Sequence, residues 1–534
     1  YVQADGLQTI GYDHGDYNVV TNYVKGNNSY TVFAGANYSH VDGTETWNNE
    51  NYQFTQSLFD RESYSKNSYR NHQEYMQFRY QNQKGKRYWV GKFTLVNLST
   101  PRNASSGFAK ESTETDVFSN IRKKSLSPKI DLNANLPLSK NQTLTLGVHG
   151  KYSANSYHRL YQEQPFETMT DEDEKALSFQ LSAIYNYFSQ KHSLSMELFH
   201  YHDVWNADYS GNCELWQHLW KGESLAFFSY NFQASRRLSL KTRIGLDWLQ
   251  YHLHGDNSFS QLSPRINTNV QYQLNKGMLL WSFNFVNSNH GMDIINRAMI
   301  QINSHIMEKG MPELKKSHDI NTYLYYMGRF NRLSVSAIGQ FRYNHHPVTD
   351  DYYLDEANGK IVKTYSNGGN AQYYSAILAL QYKLCKFANL SGDIRYNHAE
   401  VKTTWSKHNN NLTGNLGLNM FMGDFALKPY LHFGKKSLDE AALVISKTPI
   451  DYGMSCSYSR GNLYVELQAA SPFKKQEKQY WLDLPIYSYS KSIKDQTASQ
   501  YASIKVAYSF DFGRKTQKVE KDVNKNINSS LLRV

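Results

Sequence analysis

The chain has 534 residues, and its net charge of +11 reflects 58 Lys and Arg against 47 Asp and Glu. No apolar run approaches the length of about 18 residues that a transmembrane helix needs, which excludes a helical membrane protein. The basic residues are scattered and form no single patch, which argues against a nucleic-acid partner; attraction to anionic lipid head groups explains the charge at least as well. Aromatic residues make up 14% of the chain, and such rings favour the boundary between membrane and water.

Short polar turns predict a series of β-hairpins along the chain. The ten turns lie at Lys25–Asn28, Gln83–Lys86, Ser139–Asn141, Ser189–Lys191, Ser235–Arg237, Asn275–Gly277, Arg329–Asn331, Cys385–Ala388, Met422–Asp424 and Ser459–Asn462. One strand near Leu7–Tyr12 precedes the first hairpin, and one at Ser503–Phe512 follows the last, so we expect about 22 strands. The connections between hairpins are longer, many of roughly 10 to 30 residues, as expected for extracellular loops.

Within these strands, apolar and polar residues alternate, which places them on opposite faces. The last strand shows the pattern most clearly, with Ile504, Val506 and Tyr508 on one face and Ser503 and Lys505 on the other. Elsewhere the polar faces carry charges, among them Arg243, Asp247, Arg265 and Arg342. A dry core would leave such charges unpaired, so we expect them to face a watery lumen.

The predicted fold is therefore an all-β, antiparallel, up-and-down transmembrane barrel in a bacterial outer membrane, with short periplasmic turns and long extracellular loops. We assign residues 1–513 to the barrel and residues 514–534 to a basic, poorly ordered periplasmic tail. Barrels of this width hold a plug in the lumen, and the chain has no spare segment to supply one.

Four segments resemble the barrel domain of TonB-dependent receptors of the Bacteroidetes. They are the strand start Ser263–Arg265, the loop segment Gly310–Lys316, the strand Leu463–Phe473 and the closing segment Tyr508–Lys515. This resemblance implies an active importer of large, scarce ligands such as iron chelates, oligosaccharides or peptides. It also implies a plug domain and the TonB complex as partners, and it leaves a surface lipoprotein open. On this basis about 150 or more residues of plug should precede Tyr1.

The predicted extracellular loops contain aromatic residues that could stack on sugars or planar chelates. The candidate ligand-binding residues are Trp205, Trp216, Trp220, Tyr352, Tyr353, Tyr480 and Trp481. Loop packing and an interfacial girdle are the alternative roles, and we favour them. The pairs His200/His202 and His252/His254 suggest a metal, but the strand phase points both pairs outward, so no metal site is assigned.

No cofactor-binding or catalytic residues are predicted. Gly-rich phosphate loops are absent from the sequence, and no nucleophile with a neighbouring base can be singled out. The three Cys residues have no metal-binding spacing. The alternative to an importer is a plugless outer-membrane barrel that acts as a passive pore or as a scaffold for a partner.

Overall fold

The computed structural model describes residues 1–54, 58–256, 258–288, 290–495, 500–510, 523–527 and 529. These residues form one short helix, α1 (Met292–Ile295), and thirty strands. The strands are β1 (Val2–Ile10), β2 (Asp13–Lys25), β3 (Asn28–Gln53), β4 (Leu58–Lys84), β5 (Arg87–Lys110), β6 (Glu114–Ser139), β7 (Gln142–Glu163), β8 (Phe166–Phe188), β9 (His192–Gly211), β10 (Leu215–Gln233), β11 (Leu238–Leu253), β12 (Ser258–Leu274), β13 (Gly277–Ser288), β14 (Met299–Gln301), β15 (Ile306–Lys309), β16 (Ser317–Phe330), β17 (Leu333–His345), β18 (Thr349–Asp355), β19 (Lys360–Ser366), β20 (Asn370–Cys385), β21 (Ala388–Lys402), β22 (Ser406–Met422), β23 (Phe425–His432), β24 (Lys435–Asp439), β25 (Val444–Thr448), β26 (Asp451–Arg460), β27 (Leu463–Ala470), β28 (Gln476–Asp483), β29 (Tyr487–Asp495) and β30 (Tyr501–Phe510).

Antiparallel pairing runs around a closed ring of 22 strands in the described residues. Eighteen ring positions are single strands: β1–β13, β16, β17 and β20–β22. Each of the last four positions is built from two consecutive segments: β23/β24, β25/β26, β27/β28 and β29/β30. The ring closes where β30 pairs with β1 and where β29 pairs with the outer half of β3. The predicted barrel and its strand number are confirmed.

All ten predicted turns join neighbouring strands in the ring. Several turns use glycines with positive φ, such as Gly26 (φ 61) and Gly85 (φ 61), a conformation that glycine adopts without steric cost. The first strand begins at Val2 and the last described strand ends at Phe510. Asp511 and Phe512, the end of the predicted last strand, lie outside the described residues.

The long connections differ from the sequence-based expectation because most of their residues belong to strands. Strands β3 to β8 contain between 22 and 27 residues, whereas a tilted strand crosses the membrane with about 9–11 residues. Beyond the membrane these strands remain paired, and residues 111–113 and 164–165 are enough to join them at their tips. Continued pairing satisfies backbone groups that an irregular loop would leave to water.

The predicted alternation of faces appears directly in the exposure of side chains. On β11, Ile244, Leu246 and Trp248 are about half exposed on the outer face, while Asp247 and Leu249 are buried on the inner face. Apolar side chains outside and polar side chains inside are the arrangement of a barrel in lipid. Among the described residues, no helix has the length and apolar character needed to cross a membrane.

Two connections are true loops, and they fold together. The connection from β13 to β16 contains α1, β14 and β15, and the connection from β17 to β20 contains β18 and β19. Their four strands form a separate sheet in the order β14-β15-β19-β18, with β15 parallel to β19. We call these two connections, with α1 and this sheet, the cap.

The C-terminal segment is described only in part. Residues Val523 and Ile527 pack against inner-wall residues of β2 to β5, so this part of the predicted tail lies inside the barrel. The other residues of 514–534, apart from 524–526 and Ser529, lie outside the described residues.

Candidate functional site

The cap spans the extracellular mouth of the barrel, because it packs against opposite sides of the wall. On one side its contacts are with β7 to β11, in a cluster that contains Met292, Ile295, Ala298, Ile300, Tyr157, Trp205, Leu219 and Leu253. On the other side they are with β3, β20, β21, β28 and β29, in a cluster that contains Ile306, Tyr352, Ile361, Tyr52, Ala371, Val401, Leu482 and Tyr487. Ile302 touches both clusters. A fully buried Ile such as Ile300 or Ile361 contributes roughly 1.5–3 kcal/mol to this packing.

A buried ion cluster ties the cap to the wall at Arg61. The Arg61 guanidinium lies 3.0 Å from Glu50 Oε2 and 2.7 Å from Glu163 Oε1, and all three side chains are nearly inaccessible to solvent. From the cap, the Ser304 hydroxyl donates to Glu163 Oε2 over 3.1 Å, and the His305 ring contacts Glu111 Oε1 at 2.6 Å. Two cap residues thus bind carboxylates that the wall has already arranged around one arginine.

The second anchor holds the chain where the cap returns to the wall. Lys316 Nζ lies 3.0 Å from Asp247 Oδ2, and neither side chain is accessible to solvent. Arg265 binds the same oxygen of Asp247 at 2.6 Å and also binds Glu223 at 3.1 Å. Lys316 is the last residue of the segment Gly310–Lys316 that resembles the receptor family. This segment therefore anchors the end of the first cap loop to the barrel wall. Buried charges of this kind persist only when they are paired.

Further contacts act through the cap backbone. Arg159 on β7 donates to the carbonyl oxygens of Gln301, at 3.0 Å, and of Ile302. Lys360 on β19 donates to the side chain of Gln301 at 2.6 Å. Gln301 therefore connects the barrel wall with the second loop of the cap.

Inside the cap, one lysine faces two carboxylates. Lys363 Nζ lies 3.5 Å from Asp350 Oδ2 and 3.6 Å from Glu308 Oε1. Burial raises the pKa of Asp350 to about 6, against the opposing attraction of Lys363. Burial alone would lower the pKa of Lys363, but Asp350 and Glu308 outweigh it, so this pKa is raised. The cap therefore contains a carboxyl group that titrates near physiological pH.

The seven predicted aromatic residues do not come together in one site. Trp205 and Tyr352 are buried in the two apolar clusters that hold the cap. On the outer surface, Trp216 lies 4.9 Å from the His254 ring and Trp220 lies 5.5 Å from the His202 ring. The remaining three occupy two strands: Tyr353 lies on β18, and Tyr480 and Trp481 lie on β28.

These last three residues differ in their surroundings. Tyr353 is 43% exposed. Trp481 lines a groove with Lys435, Lys436 and Lys447, and its neighbour Tyr480 is paired in register with Lys491. The tertiary structure thus distributes the seven aromatic residues between the cap clusters, the outer surface, β18 and β28, and their part in ligand binding stays a prediction.

Both His-x-His pairs lie on the outer face of the barrel. His200 contacts the Ser224 hydroxyl at 2.9 Å and His252 contacts the Ser258 hydroxyl at 3.1 Å. Within the described part of the chain, no group of three or more His, Cys, Asp or Glu residues could hold a metal ion.

The predicted lumen charges are paired along the inner wall. Arg243 lies 2.5 Å from Glu197, and Arg342 lies 2.7 Å from Asp319. Arg265 and Asp247 bind each other and carry the anchor of Lys316. These residues stabilise the wall and the cap, and each of their charges has an oppositely charged partner within the protein.

Sequence reasoning missed the cap and the cluster around Arg61. One signal was available for the cap. Asn358-Gly359 lies between two short β-rich segments and forms the turn between β18 and β19, with Gly359 at φ 60. An Asn-Gly pair of this kind is a strong hairpin signal. Arg61 carries no comparable signal, because Glu50 faces it across the β3–β4 pair but Glu163 lies 102 residues further along the chain.

No protein-family model and no curated protein matches the sequence. Solved structures do match its fold. The copper transporter OprC superposes with a TM-score of 0.67 at 10% identity, covering 95% of this chain and 80% of that one. The ferric enterobactin receptor PfeA of Pseudomonas aeruginosa gives a TM-score of 0.61 at 10% identity, covering 95% and 81%. The FrpB iron transporter of Neisseria meningitidis gives 0.60 at 8% identity, covering 95% and 81%.

These likenesses establish the fold, which is that of transporter and receptor barrels. Closure of the ring and the apolar outer face place the chain in an outer membrane, since only a closed barrel satisfies its backbone in lipid when it crosses with strands. The chain is an outer-membrane barrel of 22 strands with an internal cap.

Proposed function

We propose that the chain is the barrel of a TonB-dependent receptor that imports a large, scarce ligand such as an iron chelate, an oligosaccharide or a peptide. The observation that carries this proposal is the ring of 22 strands with a cap folded into its mouth. The sequence resemblance and the likeness to copper and iron transporters support it. A plug domain and the TonB complex are the partners that this function requires, and a surface lipoprotein is a further candidate partner.

The cap favours an importer over a passive pore. It is held by two apolar clusters and by the ion pairs of Arg61 and Lys316. A structure anchored across the mouth would obstruct solutes that cross a passive pore by diffusion. A receptor can use such a structure, because it must bind a dilute ligand selectively before releasing it inward. We infer that ligand contacts arise where the cap meets the extracellular ends of the long strands β3 to β8.

Uptake measurements in the native host test this function. Cells with and without the gene are supplied with ferric enterobactin, copper(II), a fluorescent oligosaccharide or a fluorescent peptide. We expect saturable uptake of one probe that requires the gene and stops when a protonophore collapses the proton-motive force. Uptake that continues unchanged with the protonophore, together with large currents through the purified barrel in planar bilayers, would instead establish a passive pore.

A further inference from the structure

The inner wall of the barrel holds a short segment of the chain's own C-terminal end. Residues 523–527 have the sequence Val-Asn-Lys-Asn-Ile, and they lie beside strands β2 to β6. Their exposure alternates strictly, with Val523, Lys525 and Ile527 half-buried and Asn524 and Asn526 exposed. A period of two indicates an extended segment with one face on the wall and one face toward the open lumen.

The wall face of this segment makes apolar and aromatic contacts. Val523 and Ile527 pack against a cluster formed by Tyr1, Val20, Phe33, Tyr75 and Val96. Between them, Lys525 Nζ lies 4.2 Å from the centre of the Tyr75 ring, which is a cation–π distance. The segment covers this apolar cluster of the inner wall.

The backbone of the segment is bound from two sides. Lys129 Nζ donates to the carbonyl oxygens of Asn524, at 2.7 Å, and Asn526, at 2.5 Å. Gln73 Nε2 donates to the carbonyl oxygen between them, that of Lys525, at 3.3 Å. Successive carbonyl groups of an extended chain point to opposite sides. Lys129 on one side and Gln73 on the other therefore bind alternate carbonyls, as expected for an extended peptide. The contacts to carbonyl oxygens require an extended backbone but do not depend on which side chains the segment carries. The apolar cluster is therefore the part of the wall that favours particular side chains.

From these contacts we propose that the inner surface of β2 to β6 is a docking strip for an extended peptide, and that its occupant is the chain's own segment Val523–Ile527. The proposal goes beyond the importer function and does not depend on it. The chain can reach the strip, since 12 residues lie between Phe510 and Val523 and the 13 residue-to-residue steps span up to about 43 Å when extended. The docked segment narrows the lumen, and any other occupant of the strip must displace it.

Thiol labelling of the full chain tests the docking. Single cysteines replace each of residues 523–527 in a background in which Cys213, Cys385 and Cys456 are changed to Ser, and a maleimide is added to the protein in outer-membrane vesicles opened by mild detergent. We expect Val523→Cys and Ile527→Cys to react about ten-fold more slowly than Asn524→Cys and Asn526→Cys, the factor that docking worth about 1.4 kcal/mol produces.

The wall contact is tested by Lys129→Met, which removes the donor to two carbonyls, with Lys140→Met in an exposed turn as the matched control. Lys129→Met should abolish the alternation of rates, and Lys140→Met should preserve it. Heat-dependent mobility on gels shows whether each variant forms the barrel. Equal labelling of all five positions in the folded barrel, or alternation that survives Lys129→Met, would overturn the proposal.

Discussion

At the residue scale, the main feature is that the buried charges of the barrel are enclosed together with charges of opposite sign. Arg61 is enclosed with Glu50 and Glu163, and Lys316 is enclosed with Asp247. A buried pair contributes little net stability compared with an apolar pair, yet losing one partner is expensive because the other charge remains buried. These charges therefore favour one arrangement of the cap and the barrel wall at the mouth over others.

Replacing Arg61 tests this description. Arg61→Met leaves Glu50 and Glu163 buried without a cation, which we expect to cost about 3–5 kcal/mol. The variant should lose its heat-resistant folded form at a lower temperature than the wild type, as seen by gel mobility. Arg460, which is largely exposed and 3.9 Å from Asp424, provides the control, and Arg460→Met should change nothing. Equal effects of the two substitutions would contradict the role of the Arg61 cluster.

The pH dependence of the cap follows from Asp350. Its pKa in the folded cap is about 6, above the ordinary value of 3.8, so the folded state holds a proton that the open state releases. Stability of the cap therefore falls as pH rises through 6, by about 1–1.5 kcal/mol between pH 5 and pH 7.5. Hydrogen exchange of β18 and β19 amides, corrected for intrinsic rates, should show more protection at pH 5.

The Asp350→Asn variant is the control for this pH effect. An amide cannot ionise, so the variant should show the same corrected protection at both pH values. If wild type and Asp350→Asn respond to pH alike, a group other than Asp350 governs the change.

At the element scale, the two long loops act together as one structural unit. Each loop pairs its own two strands, and the parallel pairing of β15 with β19 joins the first loop to the second. The resulting sheet then packs on both sides of the ring through its apolar residues. The cap thus lies across the mouth as one unit held at both sides.

Removing the cap should open the barrel. We expect replacement of residues 290–315 and 349–366 by short Gly-Ser linkers to raise single-channel conductance in planar bilayers several-fold. A matched control changes the β7–β8 tip, Gln164-Pro165, to Gly-Gly, which leaves the cap in place and should leave conductance unchanged. Unchanged conductance after removal of the cap would mean that the cap does not limit passage.

At the scale of the whole molecule, one rule decides the effect of a substitution, namely the face on which the residue lies. Leu380 lies with Leu378 on the apolar outer face and is 43% exposed, whereas alternation along β20 turns its neighbour Gln381 to the inner face, where Ala371 and Ser375 are buried. Of these two adjacent residues of β20, Leu380 thus lies in hydrocarbon and Gln381 lies in water. The same rule applies around the whole ring.

Arginine substitutions at these two positions test whether the cost of a charge depends on the face of the barrel. We expect Leu380→Arg to destabilise the barrel by about 2–4 kcal/mol, because a charge enters the lipid. Gln381→Arg should have little effect, since the charge remains in the aqueous lumen. Folding equilibria in lipid vesicles, followed by tryptophan fluorescence in urea, report both values. A larger penalty for Gln381→Arg would mean that the faces are reversed.

Much of the fold was accessible from short-range features of the sequence. Polar turns such as Ser459–Asn462 marked the hairpins, and alternation in segments such as Ser503–Phe510 assigned their faces. Both features depend on residues a few positions apart, so a single sequence displays them. The paired turns also yielded the count of 22, because antiparallel strands joined in order leave little freedom in the topology.

The tertiary structure alone decided what fills and covers the ring. Tyr487 donates to Glu50 across a separation of 437 residues, and Lys129 reaches Asn526 across 397. Closure of the barrel brings such residues together. The alternation of polar and apolar residues along one strand does not indicate which distant residues come into contact. The sequence by itself therefore determined a closed barrel in lipid, while the cap, its buried ion clusters and the docked C-terminal segment arose from contacts across the lumen.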